Sequence, residues 1–443
     1  MLMNDFLNRV EARNPDQPEF MQAVHEVVES VWPVYESTPE FYQSKLLDLM
    51  VEPERQISFR VSWMDDNGKI QVNRAYRIQY NSALGPYKGG MRFHPTVNQS
   101  ILKFLGFEQT FKNSLTMLAM GGGKGGADFD PKGKSDHEVR RFCKNMMMEL
   151  YRHIGPDVDV PAGDIGVGQR EIGYMFGAYG KIKNDYTGVL TGRSLGLGGS
   201  PLRSQATGFG VVYFVEEMLK NVGDSLEGKR VAVSGSGNVA QYAMKKLEEL
   251  GGLAITASDS SGYVYDPEGI KGEKLDYLLD LKQKQRGRIS EYAKKYKTQY
   301  FENKKPWDVA CDIALPCASQ NELYAEDAKE LVKNGVKYVA EGANMPTTPD
   351  AMAIFKESGV LFAPGKASNA GGVATSGFEM SQTSQRLNWE PEEVDRRLKG
   401  VMQSIHAQCA EHGAEKKQID YVKGANVAGF IRVANAMISR GLE

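Results

Sequence analysis

The sequence predicts an α/β protein built from two domains, and three observations support this prediction. The chain has 443 residues, which is more than one domain usually contains. Its first half opens with the patterns of a helix and a β-hairpin. Its second half has a strand, a glycine-rich turn, a helix and another strand in succession, which is typical of a parallel sheet covered by helices.

In the first half, a helix is predicted over residues 17–31 because apolar side chains recur at helical spacing: Phe20, Val24, Val27, Val28 and Val31. Residues 57–63 and 70–72 alternate between apolar and polar side chains, as half-buried strands do. Between them lies the turn sequence Asp65-Asp66-Asn67-Gly68. The two runs therefore predict a hairpin, and alternating helices and short strands follow to about residue 200.

In the second half, a helix over 209–219 precedes a strand over 230–234 and a glycine-rich turn. The next helix ends near Leu250, and a second strand follows at 254–258. Further short apolar strands are predicted at 313–315, 336–340 and 360–363. The tail returns to helices, because apolar residues keep one face from Val394 to Cys409 and again from Val427 to Met437.

Composition and charge exclude several classes of protein. Hydrophobic residues make up 41% of the chain and charged residues 25%, as in an ordinary globular protein. The formal net charge of −2 argues against nucleic acid or an anionic membrane as a partner. We see neither a signal peptide nor an apolar run of the roughly 18 residues that a membrane helix needs. A cytoplasmic protein is expected.

The cysteines and histidines give no sign of a disulfide framework or a metal centre. The four cysteines are sparse and lack a C-x-x-C spacing, which favours a reducing compartment. The six histidines show no spacing of metal ligands, so no metal is assigned. His406 lies beside Ile405 in a helical pattern and is expected on the surface of its helix.

Three lysines, Lys88, Lys112 and Lys124, stand out because two of them are flanked by paired glycines. Glycine lets a ligand approach the backbone closely, so a lysine set among glycines suggests a cation directed at a small anion. Three such cations suggest a dicarboxylate, or a carboxylate beside a reacting carbonyl. For any one of them, a surface lysine near a turn is an equally good interpretation.

Gly235-Ser236-Gly237-Asn238-Val239-Ala240 follows a predicted strand and opens a predicted helix. This is the context that distinguishes a dinucleotide-binding fingerprint from a plain corner, because the turn lets pyrophosphate approach the helix N-terminus. We therefore predict a Rossmann-like, doubly wound domain here. The other glycine-rich segment lacks a phosphate-loop ending, since Gly125 follows Lys124, and nucleotide hydrolysis is excluded.

Asp164 is the one carboxylate in Pro161-Ala162-Gly163-Asp164-Ile165-Gly166-Val167-Gly168. On spacing alone, a turn residue is the favoured interpretation, as for most Gly-Asp pairs. Together with the three lysines and a fold that binds a nicotinamide cofactor, however, a role of Asp164 in proton transfer becomes the better interpretation.

Several segments together resemble the Glu/Leu/Phe/Val dehydrogenase family, and within it the hexameric glutamate dehydrogenases of the small-subunit bacterial and lower-eukaryote type. They are Gly-Pro-Tyr-Lys-Gly-Gly-Met-Arg-Phe, Lys-Phe-Leu-Gly-Phe-Glu-Gln, Gly-Gly-Gly-Lys-Gly-Gly-Ala-Asp, Pro-Ala-Gly-Asp-Ile-Gly-Val-Gly, Glu-Gly-Ala-Asn-Met-Pro and Asn-Ala-Gly-Gly-Val. The likeness runs essentially from end to end. It implies reversible oxidative deamination of L-glutamate to 2-oxoglutarate and ammonium, and a homohexamer.

The resemblance also implies a role for individual residues. Lys124 and Asp164 match the catalytic pair. The substrate would be held at its distal carboxylate by Lys88 and Ser376, at its α-carboxylate by Lys112 and Gln109, and along its methylenes by Val373. The cofactor would be bound by Arg203 and Thr207 at the nicotinamide, by the turn Gly235, Ser236, Gly237, Asn238 and Val239, and by Asn344 at the ribose.

The choice between NADP(H) and NAD(H) rests on conflicting signals. Asp259 lies where an acidic residue binds the ribose hydroxyls of NAD and repels a 2′-phosphate. Against this, the hydroxyl of Ser260 can donate a hydrogen bond to a 2′-phosphate, and the basic cluster Lys282, Lys284, Arg286 and Arg288 could supply charge-assisted pairing, although such a cluster is also typical of a solvated helix end. The resemblance to NADP-dependent members of the family favours NADP(H), with NAD(H) as the alternative.

Three segments follow from these patterns. Residues 1–200 are expected to bind substrate and carry the catalytic groups, and the resemblance implies that they also mediate assembly. Residues 201–373 are expected to form the dinucleotide domain, and the helices of 374–443 to cross back onto the first domain, with a cleft between the two. The competing functions are an apolar amino-acid dehydrogenase, which Lys88 and Ser376 argue against, and a non-catalytic dinucleotide sensor, which would not need Lys124 and Asp164.

Overall fold

The computed structural model describes residues 2–415 and 418–442. Two compact units are present. The first consists of residues 2–201, 373–394 and 426–442, and the second of residues 202–372, 395–415 and 418–425. Within the described residues, no helix is both long enough and apolar enough to cross a membrane.

The strands, in chain order, are β1 (Arg55–Met64), β2 (Ile70–Asn81), β3 (Tyr87–Phe93), β4 (Gly122–Ala127), β5 (Asp159–Gly163), β6 (Arg230–Val233), β7 (Leu253–Ala254), β8 (Thr256–Asp259), β9 (Gly262–Tyr265), β10 (Gln299–Glu302), β11 (Ile313–Leu315), β12 (Tyr338–Ala340) and β13 (Leu361–Ala363).

The α-helices are α1 (Met3–Arg13), α2 (Pro18–Ser37), α3 (Pro39–Gln43), α4 (Leu46–Met50), α5 (Gln99–Leu115), α6 (Asp136–Leu150), α7 (Gln169–Lys183), α8 (Ala206–Asn221), α9 (Asn238–Glu249), α10 (Glu273–Gln283), α11 (Ile289–Tyr296), α12 (Ala325–Lys333), α13 (Pro349–Glu357), α14 (Gly365–Ser368), α15 (Gly371–Gln385), α16 (Pro391–His412) and α17 (Tyr421–Ser439).

The first unit is built on a five-stranded mixed sheet with the order β1-β2-β4-β3-β5. The predicted hairpin is confirmed: β1 and β2 pair antiparallel from Arg55 opposite Gln79 to Met64 opposite Ile70. Asp65 closes the turn, because its Oδ1 accepts hydrogen bonds from the backbone N–H groups of Asn67 and Lys69. The last three strands in this order, β4, β3 and β5, run parallel.

The two faces of this sheet differ in character. One face carries apolar side chains such as Met91 and Phe93 and packs with α6 and α7 into a buried core. The other face packs on α5. Residues alternate between the faces of a strand, so Lys88, Gly90 and Arg92 of β3 share the face opposite to Met91 and Phe93.

Arg77 and Asp159 form a fully buried ion pair inside the first unit. Arg77 Nε donates to Asp159 Oδ2 at 2.9 Å, and Arg77 Nη1 donates to the carbonyl of Gly89 at 3.1 Å. A Cβ at Gly125 would lie 3.0 Å from Arg77 Cδ. A glycine of β4 therefore leaves room for the Arg77 side chain, whose guanidinium joins β2, β3 and β5.

The second unit contains a five-stranded parallel sheet with the order β13-β12-β11-β6-β7, as the predicted doubly wound fold requires. The strand predicted at 254–258 is divided in two. The Ile255 N–H still donates to the carbonyl of Val231, but β8 leaves this sheet and pairs antiparallel with β9. A separate antiparallel sheet, β10-β9-β8, results.

The tail, residues 374–443, does not group with a single unit. Residues 395–415 and 418–425 group with the second unit, which differs from the expectation that the whole tail packs on the first domain. Polar contacts with α8 account for this difference. The Tyr213 hydroxyl donates to the Asp395 carboxylate at 2.8 Å, and Lys399 lies 3.0 Å from Glu216.

The expectation that His406 lies on a helix surface is wrong. Its exposed fraction is 6%, and its Nε2 lies 2.9 Å from the hydroxyl of Tyr421. Phe214 also packs against its ring. Burial lowers the pKa of His406 despite the opposing charge of Glu217, so the imidazole serves as a neutral core residue.

We predict that Arg77→Met destabilises the first unit strongly, because it leaves the Asp159 carboxylate buried without its cation. Removal of one partner from a buried ion pair typically costs about 3–5 kcal/mol. Urea denaturation measures the change in the free energy of unfolding. Arg141→Met is the matched control, since it breaks an exposed pair with Asp66. Equal losses in the two variants would contradict this account.

Candidate active site

Three charged side chains meet at the centre of the parallel part of the first sheet. Lys124 Nζ lies 3.0 Å from Asp164 Oδ2, and Arg92 Nε donates to the same oxygen at 2.9 Å. Lys124 lies on β4, Arg92 lies on β3, and Asp164 directly follows β5. Their side chains are only 6%, 12% and 13% exposed, respectively. Adjacent parallel strands therefore bring together residues that are far apart in the chain.

Gly90 makes the approach of Lys124 and Asp164 possible. Gly90 pairs with Ala162 of β5, and continuing the register Met91–Gly125 by one residue places it beside Lys124. A Cβ at this position would lie 2.8 Å from Asp164 Cβ, which is closer than unbonded carbon atoms approach. A side chain at Gly90 would therefore push the aspartate away.

The structure corrects the interpretation that the glycines beside Lys88 and Lys124 serve to admit a ligand. A Cβ at Gly89, next to Lys88, would lie 1.7 Å from the carbonyl oxygen of Gly123. Near Lys124, a Cβ at Gly122 would lie 2.0 Å from Thr110 Oγ1 on α5, and one at Gly126 would lie 2.4 Å from the carbonyl oxygen of Arg92. These glycines face protein atoms. Their physical role is to let β3, β4 and α5 pack closely, so that the lysines are buried among them.

Burial and charge act on the two titratable groups in opposite ways. Desolvation lowers the pKa of Lys124 below its ordinary value, and Arg92 adds to this effect, while Asp164 opposes it. Burial alone would raise the pKa of Asp164, but the charges and hydrogen bonds of Lys124 and Arg92 outweigh burial and lower it to about 2. Asp164 is therefore ionised near neutral pH, and Lys124 loses its proton more easily than a surface lysine.

Lys88 lies on the same face of β3 as Arg92 and is 1% exposed. Its ammonium donates to the Thr191 hydroxyl at 2.8 Å. Ser376 and Val373 lie on α15, which belongs to the first unit from Val373 onwards, and Ser376 is also 1% exposed. Thr191, which no local sequence pattern singles out, is thus a hydrogen-bond partner of Lys88.

Gln109 and Lys112 lie one turn apart on α5, on a helix that begins at its capping residue Asn98. Gln109 Nε2 donates to Asn113 Oδ1 at 2.7 Å, and Asn113 Nδ2 donates to the carbonyl of Lys88 at 3.0 Å. Asn113 is fully buried. It connects α5 to β3 and sets Gln109 relative to the strand that carries Lys88.

In the second unit, the glycine-rich turn has the geometry of a dinucleotide site. Gly235 has a φ of +83°, and a Cβ there would lie 3.1 Å from Ala318 Cα. Gly237 precedes the first residue of α9, Asn238, and both are exposed. Backbone N–H groups at an exposed helix N-terminus are well placed for a phosphate. Ser236 is buried, and its carbonyl accepts a hydrogen bond from Gln241.

Glu322 supports this turn and was missed by the sequence analysis. Its carboxylate accepts hydrogen bonds from the backbone N–H groups of Ala318 and Ser319 at 2.9 and 3.3 Å. It thereby holds the segment that packs on Gly235. Burial raises the pKa of Glu322.

The carboxylate of Asp259 is occupied by protein donors. Ser261 N and Ser261 Oγ donate to Oδ1 at 2.9 and 2.6 Å, and Ile289 N donates to Oδ2 at 2.9 Å. Lys282 Nζ lies 3.4 Å from Oδ2. Burial would raise the pKa of Asp259, but these hydrogen bonds outweigh it and lower the pKa. The side chain fastens the β8–β9 turn to the start of α11.

Ser260 and Arg288 differ from Asp259, because both lie towards solvent. Arg288 Nη1 donates to Ser260 Oγ at 2.9 Å, and this contact is exposed. A hydroxyl and a guanidinium at this separation form a pair of donors suited to a phosphate. Lys282 also donates to the carbonyl of Gly287 at 2.9 Å, which holds the loop that carries Arg288.

The remaining predicted cofactor residues also lie in the second unit. Asn344 is exposed, and its Oδ1 accepts a hydrogen bond from Asn369 Nδ2 at 3.0 Å. A Cβ at Gly372 would lie 2.5 Å from Thr207 Oγ1 and 3.4 Å from Arg203 Nη1. A glycine at the start of α15 therefore allows Thr207 and Arg203 to lie side by side.

A cavity of about 1060 Å³ in the first unit is lined by residues such as Tyr186, Arg193 and Ser381, and none of the sequence-predicted site residues borders it. It lacks the chemistry of the lysine site, and we do not assign the reaction to it. Among the described residues, no group of three or more His, Cys, Asp and Glu side chains is arranged to hold a metal ion.

Comparison with known proteins agrees with this geometry. Residues 198–441 match the family model described as Glutamate/Leucine/Phenylalanine/Valine dehydrogenase. Residues 53–181 match the model described as Glu/Leu/Phe/Val dehydrogenase, dimerisation domain. The chain belongs to the Glu/Leu/Phe/Val dehydrogenase family.

Similar proteins are known in several organisms. An NADP-specific glutamate dehydrogenase of Haemophilus influenzae is 60% identical over 99% of this chain and 98% of its own length. An NAD(P)-specific glutamate dehydrogenase of Xylanibacter ruminicola is 58% identical over 100% of both chains. The crystal structure of Plasmodium falciparum glutamate dehydrogenase is 54% identical, with a TM-score of 0.97 over 99% of this chain and 94% of that chain.

We predict that Lys124 titrates below the ordinary lysine pKa, and that Asp164→Asn lowers its pKa further, since the carboxylate is the charge that raises it. The measurement is the pH dependence of amine acylation, read by mass spectrometry. Lys132, which is exposed, is the control and should not respond. A rise of the Lys124 pKa in the variant would contradict this electrostatic account.

Proposed function

We propose that this protein catalyses the reversible oxidative deamination of L-glutamate to 2-oxoglutarate and ammonium, with NADP(H) as its cofactor. The observation that carries this proposal is the buried lysine site of the first unit. Lys124 is paired with Asp164 at 3.0 Å, and Lys88 is buried on the same sheet with its ammonium bonded to the Thr191 hydroxyl. Such a site provides one cation for chemistry and another for a second acidic group of the substrate.

We assign the proton transfers to Lys124 and Asp164. A lysine with a lowered pKa can give and take a proton closer to neutral pH, as a general acid–base catalyst must. In its charged form it polarises the 2-oxo group. As ammonia adds to the 2-oxo carbon, the Asp164 carboxylate accepts a proton from the added nitrogen and passes it to the former carbonyl oxygen, which leaves as water. Bound NADP(H) supplies hydride transfer.

Substrate selection is assigned to Lys88, Ser376 and Thr191 for the distal carboxylate, and to Lys112 and Gln109 for the α-carboxylate. An apolar amino acid would leave the Lys88 ammonium facing an alkyl group without water, which is unfavourable by several kcal/mol. This disfavours an apolar amino-acid dehydrogenase. Val373, half-buried on α15, is assigned to the methylenes of the substrate.

The residues of the second unit fit NADP(H). The carboxylate of Asp259 is already in contact with four donor groups of the protein. Its position after the glycine-rich turn therefore does not by itself indicate that the cofactor is NAD. Ser260 and Arg288 are exposed and close together, and we assign them to the 2′-phosphate, with Lys282 in support. Arg203, Thr207 and Asn344 are assigned to the nicotinamide and its ribose.

We further propose that the protein assembles as a homohexamer in the cytoplasm. The edge strand β1 is ten residues long and lies at the end of its sheet, and the apolar side chains of Ile70 and Val72 beside it are 64% and 62% exposed. Long edges of this kind pair readily with another chain. Each of the four cysteines is a buried free thiol, which suits a reducing compartment.

Lys124→Met and Asp164→Asn are predicted to reduce turnover by at least ~10²-fold while the affinity for NADPH stays nearly unchanged, as expected when a positioned acid or base is removed. Steady-state kinetics of reductive amination and fluorescence titration with NADPH measure the two quantities. Near-normal turnover in either variant would show that the assignment is wrong.

The double variant Lys88→Leu with Ser376→Val should lose glutamate activity and gain relative activity towards norvaline or methionine. A site built to bind a polar group of the substrate discriminates strongly against substrates that lack this group. The variant removes the two side chains assigned to the distal carboxylate, so this discrimination should be lost. The ratio of kcat/KM values for glutamate and norvaline reports the change. An unchanged preference for glutamate would contradict the assignment.

Ser260→Ala combined with Arg288→Met should lower kcat/KM for NADPH by ~10-fold or more and leave that for NADH nearly unchanged, because a charge-assisted hydrogen bond contributes roughly 1.5–3 kcal/mol. Lys284→Met is the control, since Lys284 belongs to the same basic cluster but pairs with Asp280. If the wild-type enzyme had a higher kcat/KM for NADH than for NADPH at constant ionic strength, the assignment of Ser260 and Arg288 would be wrong, and Asp259 would be assigned to the ribose instead.

A further inference from the structure

Arg193 and Glu379 form a second fully buried ion pair in the first unit, and the roles assigned above do not use it. Their side chains are 1% and 0% exposed, and Arg193 Nε lies 3.0 Å from Glu379 Oε1. Arg193 also donates to Thr383 Oγ1 and to the carbonyl of Leu197, and its guanidinium lies 5.0 Å from the centre of the Phe176 ring. A buried pair of charges is costly unless its geometry is well satisfied, as it is here.

Glu379 fastens a backbone segment as well as a side chain. It accepts hydrogen bonds from Gly192 N at 2.9 Å and from Arg193 N at 3.3 Å. Gly192 has a φ of +86°, a conformation that favours glycine. The segment beginning at Thr191 is thus held to α15 by one carboxylate.

The two ends of this connection are the partners of the distal carboxylate site. Thr191 precedes Gly192, its hydroxyl accepts from Lys88 Nζ at 2.8 Å, and its N–H donates to the carbonyl of Pro161 on β5. On α15, Ser376 lies three residues before Glu379, which places the two on neighbouring turns of one helical face. The pair therefore lies between the element that carries Ser376 and the element that bonds Lys88.

We propose that Arg193 and Glu379 are positioning residues that set the Ser376 hydroxyl relative to the Lys88 ammonium, and so make the enzyme select substrates with a distal carboxylate. This inference rests on the proposed glutamate activity. Neither residue contacts the substrate. Loss of the pair shifts α15 relative to Thr191 and loosens the carboxylate site, while Lys124 and Asp164 on β4 and after β5 keep their geometry.

The test is the substrate preference of two variants. Glu379→Gln keeps the size of the side chain and removes its charge. Arg193→Lys keeps the positive charge and removes the planar guanidinium group. We expect the ratio of kcat/KM for glutamate to kcat/KM for norvaline to fall by about 10- to 100-fold, which is the effect expected when a binding group is displaced by a small distance. The change should lie mainly in KM for glutamate, with kcat for norvaline and the affinity for NADPH nearly unchanged. In a Lys88→Leu background, Glu379→Gln should not lower the ratio further.

Lys103→Met is the matched control. It removes another buried charge of the first unit, one that donates to Asn14 and lies over Phe20, and it should leave the ratio unchanged. A folded Glu379→Gln or Arg193→Lys enzyme with the wild-type ratio would overturn the positioning role, as would an equal fall in Lys103→Met. A wild-type enzyme without preference for glutamate would overturn the proposed function itself, and this proposal with it.

Discussion

The close packing of β3, β4 and β5 is the constraint on which the site depends. Lys124 and Asp164 meet at 3.0 Å only because Gly90, between their strands, has no side chain. Gly122 performs the same task between β4 and α5. The glycines thus remove space and water around the lysines, and this desolvation is what lowers the pKa of Lys124.

Buried charged side chains of the first unit lie on both faces of its sheet. Arg77 and Asp159 join β2 and β5 on one side, and Arg92, Lys124 and Asp164 occupy the other. Arg77 also contributes to lowering the pKa of Lys124. The support of the sheet and the pKa of Lys124 are therefore coupled, and substitutions of Arg77 should affect both.

The sequence predicts those features that depend on local patterns. Alternation and a turn gave the hairpin of β1 and β2, and a strand–glycine–helix succession gave the dinucleotide fold. The motif around Lys88 led to the prediction of a substrate site. The partners of those residues could not be found in this way, because Thr191 is 103 positions from Lys88 and Glu379 is 186 positions from Arg193. Only the packing of the chain brings them together.

Asp259 and His406 show a different limit of the sequence. The position of Asp259 after the glycine turn is typical of a ribose ligand, but its hydrogen bonds come from Ser261 and Ile289. His406 follows a surface pattern along its own helix, but Phe214 and Tyr421 cover it. In both cases, groups from other elements determine the role of the side chain, and a pattern within one element contains no information about them.

The proposed function requires that the buried Lys88 ammonium recognises a second acidic group on the substrate. Calorimetry with 2-oxoglutarate and with 2-oxopentanoate, which has the same carbon chain without the distal carboxylate, tests it directly on the wild-type protein with NADPH bound. The account predicts that 2-oxoglutarate binds at least ~10²-fold more tightly, since 2-oxopentanoate places a methyl group where the buried Lys88 ammonium would bind a carboxylate. Equal affinities for the two ligands would contradict it.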